Sequence, residues 1–284
     1  MNHLPDNFRW SFSKLAAYRQ CKRSFYLQYI VANQEDQIES YYSQYGSFAH
    51  KLLEQYYKGD LPSFCLADAW REGYESDVTM PPPRFPVGLG DKYYAAAEEY
   101  FENFQDLDTD RYDVLSVERK FVIDLDGYQI SGIADLVLRD NEDPDHHGII
   151  VIDHKSKSMN SLKKERNLYR KQLYLYALWV KQEFGQWPTK LIFNMFKEHT
   201  EIVEEFSIDE MEATKKWFLD TIHEIETSDV FEDWDTNYSS YFCGQICSCA
   251  AECDEYHVQR AEEIERWKAK KQAEEEMMMY GTQT

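Results

Sequence analysis

The chain has 284 residues, with 31 Lys and Arg against 52 Asp and Glu, for a formal charge of -21. A hydrophobic content of 43% with 15% aromatics supplies apolar surface for a compact core and excludes global disorder, while the acidic balance argues against a generic nucleic-acid coat, which needs clustered Lys and Arg. The longest wholly apolar or aromatic run, Leu173 to Val180, falls far short of the roughly 18 to 20 residues of a membrane span. The opening MNHLPDNFRW has neither a basic n-region nor an apolar h-region, so the expected compartment is a reducing cytoplasm.

In chain order, Ser11 or Ser13 is placed to cap a first helix carrying Leu15, Tyr18 and Phe25, and a second helix is predicted from Tyr45 to Lys58. On the second, His50, Leu53, Glu54 and Tyr57 recur at three- and four-residue spacing and share a face. Tyr74 to Leu89, with Pro81, Pro82 and Pro83, reads as a surface loop before a helix at about Asp91 to Phe104. Tyr112 to Leu125 and Tyr128 to Arg139 then have strand composition, joined by the hairpin dipeptide Asp126-Gly127. Gly148 to Asp153 is a short buried strand, Asn167 to Phe184 a helix, Lys190 to Phe196 extended, with Glu201 to Phe206 as its partner strand, and Ile208 to Thr227 helical. Beyond a cysteine-rich stretch, Glu255 to Met279 is a charged helix with few apolar anchors, expected to fray or to dock on a partner.

Charge is uneven along the chain. Lys155 to Lys171 holds seven basic residues and one acid, Glu165, whereas Glu201 to Asp235 carries only Lys215 and Lys216 among many carboxylates. The order of elements describes one mixed α/β core with helical additions. The expected organisation is one domain over 1-284: a helical part at 1-110, a core at 111-206, a helix and cysteine cluster at 207-254, and a charged tail at 255-284.

Two acids lie at the ends of adjacent predicted strands, Asp135 in SGIAD and Asp153 in VIDHKSK, and period-two alternation puts Asp153 and Lys155 on one side. Two carboxylates and a backbone carbonyl, here that of His154, suit a hard divalent cation. A lysine beside such a cation stabilises charge developing on a phosphate. An Asp-x-Lys triplet alone more often marks a solvated ion pair; the context is Gly132 upstream, the apolar run Ile149 to Ile152, and a helix soon after.

Taken together, these segments resemble the PD-(D/E)xK nuclease superfamily, in particular the branch containing the RecB and AddB nuclease domains and the CRISPR-associated adaptation nucleases. SFSKLAAYRQCKRSFYLQY from Ser11 to Tyr29 is similar to an "S-x-S-x-L-x-x-Y-x-x-C-P-R" signature, with Lys22 in place of proline. GSFAHKLLE resembles a "G-x-x-x-H-x-x-L-E" helix, SGIAD a "G-x-x-D" strand, VIDHKSK a "D-Y-K-T" strand, and QLYLYA a "Q-L-x-x-Y" helix. The resemblance implies a restriction-endonuclease-like mixed sheet in which His50, Asp135, Asp153 and the His154 carbonyl hold Mg²⁺ or Mn²⁺, with Asp135, Asp153 and Lys155 catalytic. It implies nucleic-acid contacts from Gln172 and Tyr176, which the basic run, including Lys157 and Arg170, would extend. Glu54 is expected to be structural, and Glu118 either an exposed charge or a second-metal ligand.

Cys243, Cys247, Cys249 and Cys253 fall within eleven residues. In the iron-containing part of the resembled branch, one N-terminal cysteine joins three near the C-terminus, which implies a [4Fe–4S] cluster on Cys21, Cys243, Cys247 and Cys253. The alternative is a local Zn²⁺ site on Cys243, Cys247, Cys249 and Cys253, with Cys21 a buried thiol. Cys65 is expected in a core. The implied function is a metal-dependent DNA nuclease, an exonuclease on DNA ends or single strands in recombination, repair or spacer acquisition. A helicase, recombinase or integrase is the expected kind of partner, since no G-x4-G-K-[ST] loop is present. The other readings are a catalytically weak nucleic-acid-binding or assembly subunit and a zinc-stabilised interaction module.

Overall fold

The computed structural model describes residues 4–5, 8–31, 39–83, 86–143, 148–228 and 234–281, with side chains to 274. Residues 229–233 of the acidic stretch and 84–85 of the proline-rich loop therefore lie outside the described residues. Contacts divide the chain into two units: residues 3–16 with 39–228, and residues 1–2 with 17–38 and 229–284.

The larger unit is built on a six-stranded mixed sheet in the order β1-β3-β4-β5-β6, with β2 paired to β3. The strands are β1 (Trp10–Ser11), β2 (Tyr112–Leu125), β3 (Tyr128–Asp140), β4 (Gly148–His154), β5 (Lys190–Met195) and β6 (Thr200–Glu205). β2 and β3 form the expected hairpin, and Asp126 and Gly127 both have positive φ, 52° and 91°, as a type I′ turn requires. β4 and β5 are parallel, so the chain between them must cross over, and it does so through helix α6 (Met159–Phe184). All seven residues of β4 are buried, the mark of a central strand covered on both faces. On one face Leu136, Leu138, Ile150, Ile152 and Ile192 cluster with Tyr57, Leu107, Tyr112 and Val117. The alternating positions Val137, Ile149, Val151, Leu191 and Phe193 are buried toward the opposite face.

Helices α3 (Tyr41–Lys58), α4 (Leu66–Asp77) and α5 (Leu89–Glu102) pack an aromatic core in which Phe48 stacks on Trp70 at 5.1 Å, with Tyr45, Phe101 and Phe196 around them. Helix α7 (Ile208–Glu226) buries Met211, Phe218, Ile222 and Ile225. Four elements depart from expectation by more than a residue or two. α3 begins at Tyr41, capped by the Ser40 side chain on Ser43 N. α4 occupies the start of the predicted loop and runs to Asp77. α6 begins at Met159, capped by Ser158, because Leu162 is fully buried and anchors the first turns, where polar residues precede it and four charged residues follow it. β1 is a two-residue strand parallel to β3, too short to have a sequence period.

In the smaller unit the predicted first helix is not continuous. α1 (Phe12–Gln20), which starts in the larger unit, stops at Cys21, whose extended backbone (φ -161°, ψ 113°) lets its sulfur cap α2 (Lys22–Tyr26) by accepting from Ser24 N. A π-helical turn, Leu27–Val31, follows. α8 (Ser240–Gln245) lies in the cysteine-rich stretch, and α9 (Asp254–Gly281) is the charged helix, exposing Val258, Ile264 and Trp267. Among the described residues no helix is long and apolar enough to cross a membrane.

Candidate active site

The sheet puts Asp135 in mid-β3 and Asp153 near the end of β4, and both carboxylates are buried. Across the hairpin, the pairs Val117↔Leu136 and Arg119↔Ala134 bracket Glu118 opposite Asp135. Glu118 has a φ of 46°, in the left-handed region that a non-glycine residue rarely adopts within a strand. There its carboxylate meets the His50 ring from α3, Nδ1 lying 3.3 Å from Glu118 Oε1 and 3.6 Å from Asp135 Oδ2. His50 Nε2 donates to the His154 carbonyl at 3.0 Å, and Asp135 Oδ2 accepts from His154 N at 2.8 Å. His50, Glu118 and Asp135 offer ligand atoms that all lie within 4.8 Å of one another.

Behind this trio lies a second chain of contacts. Lys155 Nζ is 2.5 Å from Asp153 Oδ2 and donates to Gln172 Oε1 at 2.8 Å; Gln172 Nε2 donates to Tyr176 OH at 2.6 Å; and Tyr176 OH faces Asp153 Oδ1 at 3.5 Å. Gln172 and Tyr176 reach this chain together because they sit four residues apart on α6. His154 points to the other face of the sheet, where it stacks on Tyr57 and where Asn194 Nδ2 approaches its Nδ1 at 2.9 Å. Its ring meets the His50 ring edge-on at 5.7 Å but is not among the convergent ligand atoms; its carbonyl and amide make the hydrogen bonds to the cluster.

Electrostatics follow from burial opposed by pairing. Burial disfavours a charged His50, but Asp135 and Glu118 outweigh it and raise its pKa to about 9. Desolvation raises Asp135, against the pull of His50 and Lys155, and raises Asp153 to about 6 against Lys155. Burial holds His154 neutral and keeps the Tyr176 phenol protonated. Asp153 Oδ2 is buried and receives no directed hydrogen bond among the described residues, its contact being the Lys155 ammonium. A desolvated carboxylate oxygen close to further carboxylates and a strand-end carbonyl is a donor set that suits a hard divalent cation.

The predicted residues separate into two groups. His50, Asp135, Gln172 and Tyr176 line one open cavity of about 860 Å³, together with Glu118, and Asp153 and Lys155 contact that group from within the protein. Lys157 and Arg170 are outside the cavity lining: Lys157 contacts Glu165 at 2.5 Å and Tyr169, and Arg170 pairs with the buried Glu204 at 2.8 Å. By sequence alone Glu118 is an exposed charge or a second-metal ligand, and its unusual backbone turns it inward. Arg9, Ser47 and Lys120 carry no motif or period that marks a site, yet they line the cavity from β1's approach, α3 and β2. Glu54 lies on α3 in an ion pair with Lys58, as a structural surface residue does.

Asp135 lies within its strand rather than at the expected strand end, but the arrangement of two acids on adjacent strands, a lysine two residues after the second, and a helix closing over them has a counterpart in a known family. A model of the PD-(D/E)XK nuclease superfamily matches residues 9–254. The chain belongs to that superfamily. A solved structure titled "Crystal structure of SSO0001" matches at 18% identity and a TM-score of 0.32, covering 86% of this chain and 95% of that one. No curated protein matches the chain. Membership identifies this chain as a metal-dependent nuclease of the PD-(D/E)XK type, and the acidic cavity is where a divalent metal has a donor set.

The smaller unit contains a second cluster. Cys21, Cys243, Cys247, Cys249 and Cys253 line one small cavity of about 20 Å³. Cys21 Sγ accepts from Ser24 N at 3.4 Å and Asn237 N at 3.5 Å, and Cys243 Sγ accepts from Ser239 N at 3.5 Å. Cys247 and Cys249 sulfurs are 3.4 Å apart; their hydrogen bond pushes the Cys247 thiol up and, with help from Ser24 and Gln28, brings Cys249 down to about 7. Burial raises Cys243 and Cys253. Cys65 is in the larger unit, next to the start of α4.

Proposed function

We propose that this PD-(D/E)XK superfamily member is a deoxyribonuclease using Mg²⁺ or Mn²⁺ to trim DNA ends or single strands. The observation that carries the reading is the convergence of His50, Glu118 and Asp135 on one cavity with the Asp153–Lys155 pair against it. Asp135, Asp153 and the His154 carbonyl would hold the metal, with His50 and Glu118 beside them. A bound divalent cation supplies Lewis-acid stabilisation of phosphoryl charge and acidifies water. Lys155 adds a fixed positive charge next to Asp153, and the Gln172–Tyr176 chain holds that ammonium in place. In the ordered helix and sheet these groups need little reorganisation to act on a phosphodiester.

We also assign a [4Fe–4S] cluster to Cys21, Cys243, Cys247 and Cys253, with Cys249 as an adjoining thiol. Four cysteine sulfurs about one cavity, two of them accepting N–H···S hydrogen bonds, support a metal centre that would bind them as thiolates.

The test is turnover of end-labelled single- and double-stranded linear DNA and of closed circles by anaerobically purified protein, with Mg²⁺, Mn²⁺ or EDTA. Metal-dependent loss of linear DNA that spares circles is expected, and Asp153→Ala should lower the rate by at least about a hundredfold. Cleavage that persists undiminished in Asp153→Ala would remove this site from the chemistry. Failure of cluster-replete protein to cleave DNA that it still binds would favour a binding subunit.

A further inference from the structure

The wall of the active-site cavity contains cations that the metal and the acids do not use. Arg9 and Lys120 both line it, and among the described residues neither has a carboxylate partner. Four members of the basic run that starts at Lys155 behave differently: Lys155 pairs with Asp153, Lys157 with Glu165, and Arg166 and Arg170 with Glu204, while Lys163, Lys164 and Lys171 lie outside the cavity lining. Cations already neutralised by protein carboxylates have little to gain from a phosphate, whereas Arg9 and Lys120 keep their full charge for one.

Around these two cations the wall has a pattern. Lys120 pairs across the hairpin with Ile133, and Val122 pairs with Ser131, so the four side chains are direct cross-strand neighbours on one face. Val122 and Ile133 remain 39% and 42% exposed beside an acidic floor. A concave surface that sets cations beside exposed apolar groups fits an unstacked strand, whose phosphates and sugar or base faces alternate. A duplex keeps its base faces stacked and would offer Val122 and Ile133 only sugar edges.

We propose, on the basis of the nuclease reading above, that Arg9 and Lys120 bind phosphates of a single strand next to the phosphodiester being cut, with Val122 and Ile133 against the adjoining sugar or base. The ligand chemistry is a nucleic-acid phosphate, either an internal diester or a terminal monoester. The two residues contribute affinity and position and are not catalytic.

Binding of a fluorescent single-stranded oligodeoxynucleotide is measured over a salt series with Ca²⁺ as the metal, for wild type, Arg9→Gln, Lys120→Gln, the double variant and Lys92→Gln, a surface control on α5. Each cavity substitution should flatten the slope of log K against log salt by about 0.7, the value for one single-strand phosphate contact. In Mg²⁺ or Mn²⁺ turnover, KM should rise with kcat retained, as expected for lost uniform binding. Oligonucleotides with phosphorylated and unphosphorylated ends separate the sources: an effect only with a phosphorylated end assigns the terminal monoester, and an equal effect with both assigns an internal diester. A double variant with wild-type slope and KM, or a Lys92→Gln change as large as those at the cavity, overturns the proposal while leaving the nuclease reading intact. Wild-type protein that neither binds nor cleaves the strand overturns both.

Discussion

Glu118 adopts a φ of 46° within β2, the kind of backbone that costs on the order of 1–3 kcal/mol for a non-glycine residue. The conformation turns its carboxylate to His50 and so adds a third donor beside Asp135. We expect Glu118→Gly to be more stable to urea than Glu118→Ala, by about 1 kcal/mol, the reverse of the usual order in a strand interior. Both lose the carboxylate, so the difference isolates the backbone, and equal midpoints would show that the site stores no strain there. A second residue-scale device is the bidentate Arg111–Asp140 pair, at 3.0 and 2.7 Å, which holds the Asp140 carboxyl below the usual range. A depressed folded pKa stabilises at pH above the unfolded value, near about 4 for Asp, and the contribution is lost as pH falls through the folded value. Arg111→Gln should therefore lower Tm at neutral pH, with the gap from wild type closing on acidification; a gap independent of pH would assign the loss to packing.

Among the elements, the β2–β3 hairpin and α6 set the site. Gly132 has a defined role: a Cβ there would lie 2.4 Å from Phe121 Cζ, and the Phe121 ring stacks on Trp179 of α6 at 5.2 Å and meets Tyr176 edge-on. The missing side chain at Gly132 thus seats the ring that braces the helix carrying Gln172 and Tyr176. Gly132→Ala should destabilise by roughly 1–3 kcal/mol through overpacking, and adding Phe121→Leu should recover part of the loss. Thermal denaturation of the single and double variants measures this; strictly additive losses would mean that the two side chains do not compete for the same space. The glycine of SGIAD was visible as a motif position, but only cross-strand register identifies its partner.

For the whole molecule, one net charge of -21 conceals an acidic exterior and a cavity that keeps unpaired cations. The cysteine unit brings chain segments more than 200 residues apart around Cys21, and the thiolate-bound centre proposed there would close that loop and restrict the unfolded chain more than a local site would. Cys21→Ser should lose iron and the brown absorbance of anaerobically purified protein and lower Tm, while Cys65→Ser retains both. Stoichiometric zinc with no chromophore would replace the iron assignment with a zinc site.

What the sequence determined by itself was local and chemical. The Asp126-Gly127 turn, the two strands it joins, the face shared by His50 and Glu54, and the order Gly132, Asp135, Asp153, Lys155, Gln172, Tyr176 all follow from short-range period or motif spacing. Helix α4 was hidden by Gly73 in its middle, and the first turns of α6 by a run of charges whose single anchor is Leu162. Tertiary structure alone decided the rest, because it depends on which atoms meet at long range. The left-handed Glu118 exists only where a strand must present a carboxylate to α3. Arg170 is lost to Glu204 because β6 brings that carboxylate to α6, and Arg9 is recruited because a two-residue strand pairs with β3. A charge's role follows from its nearest opposite charge in space, and one-dimensional spacing does not encode that distance.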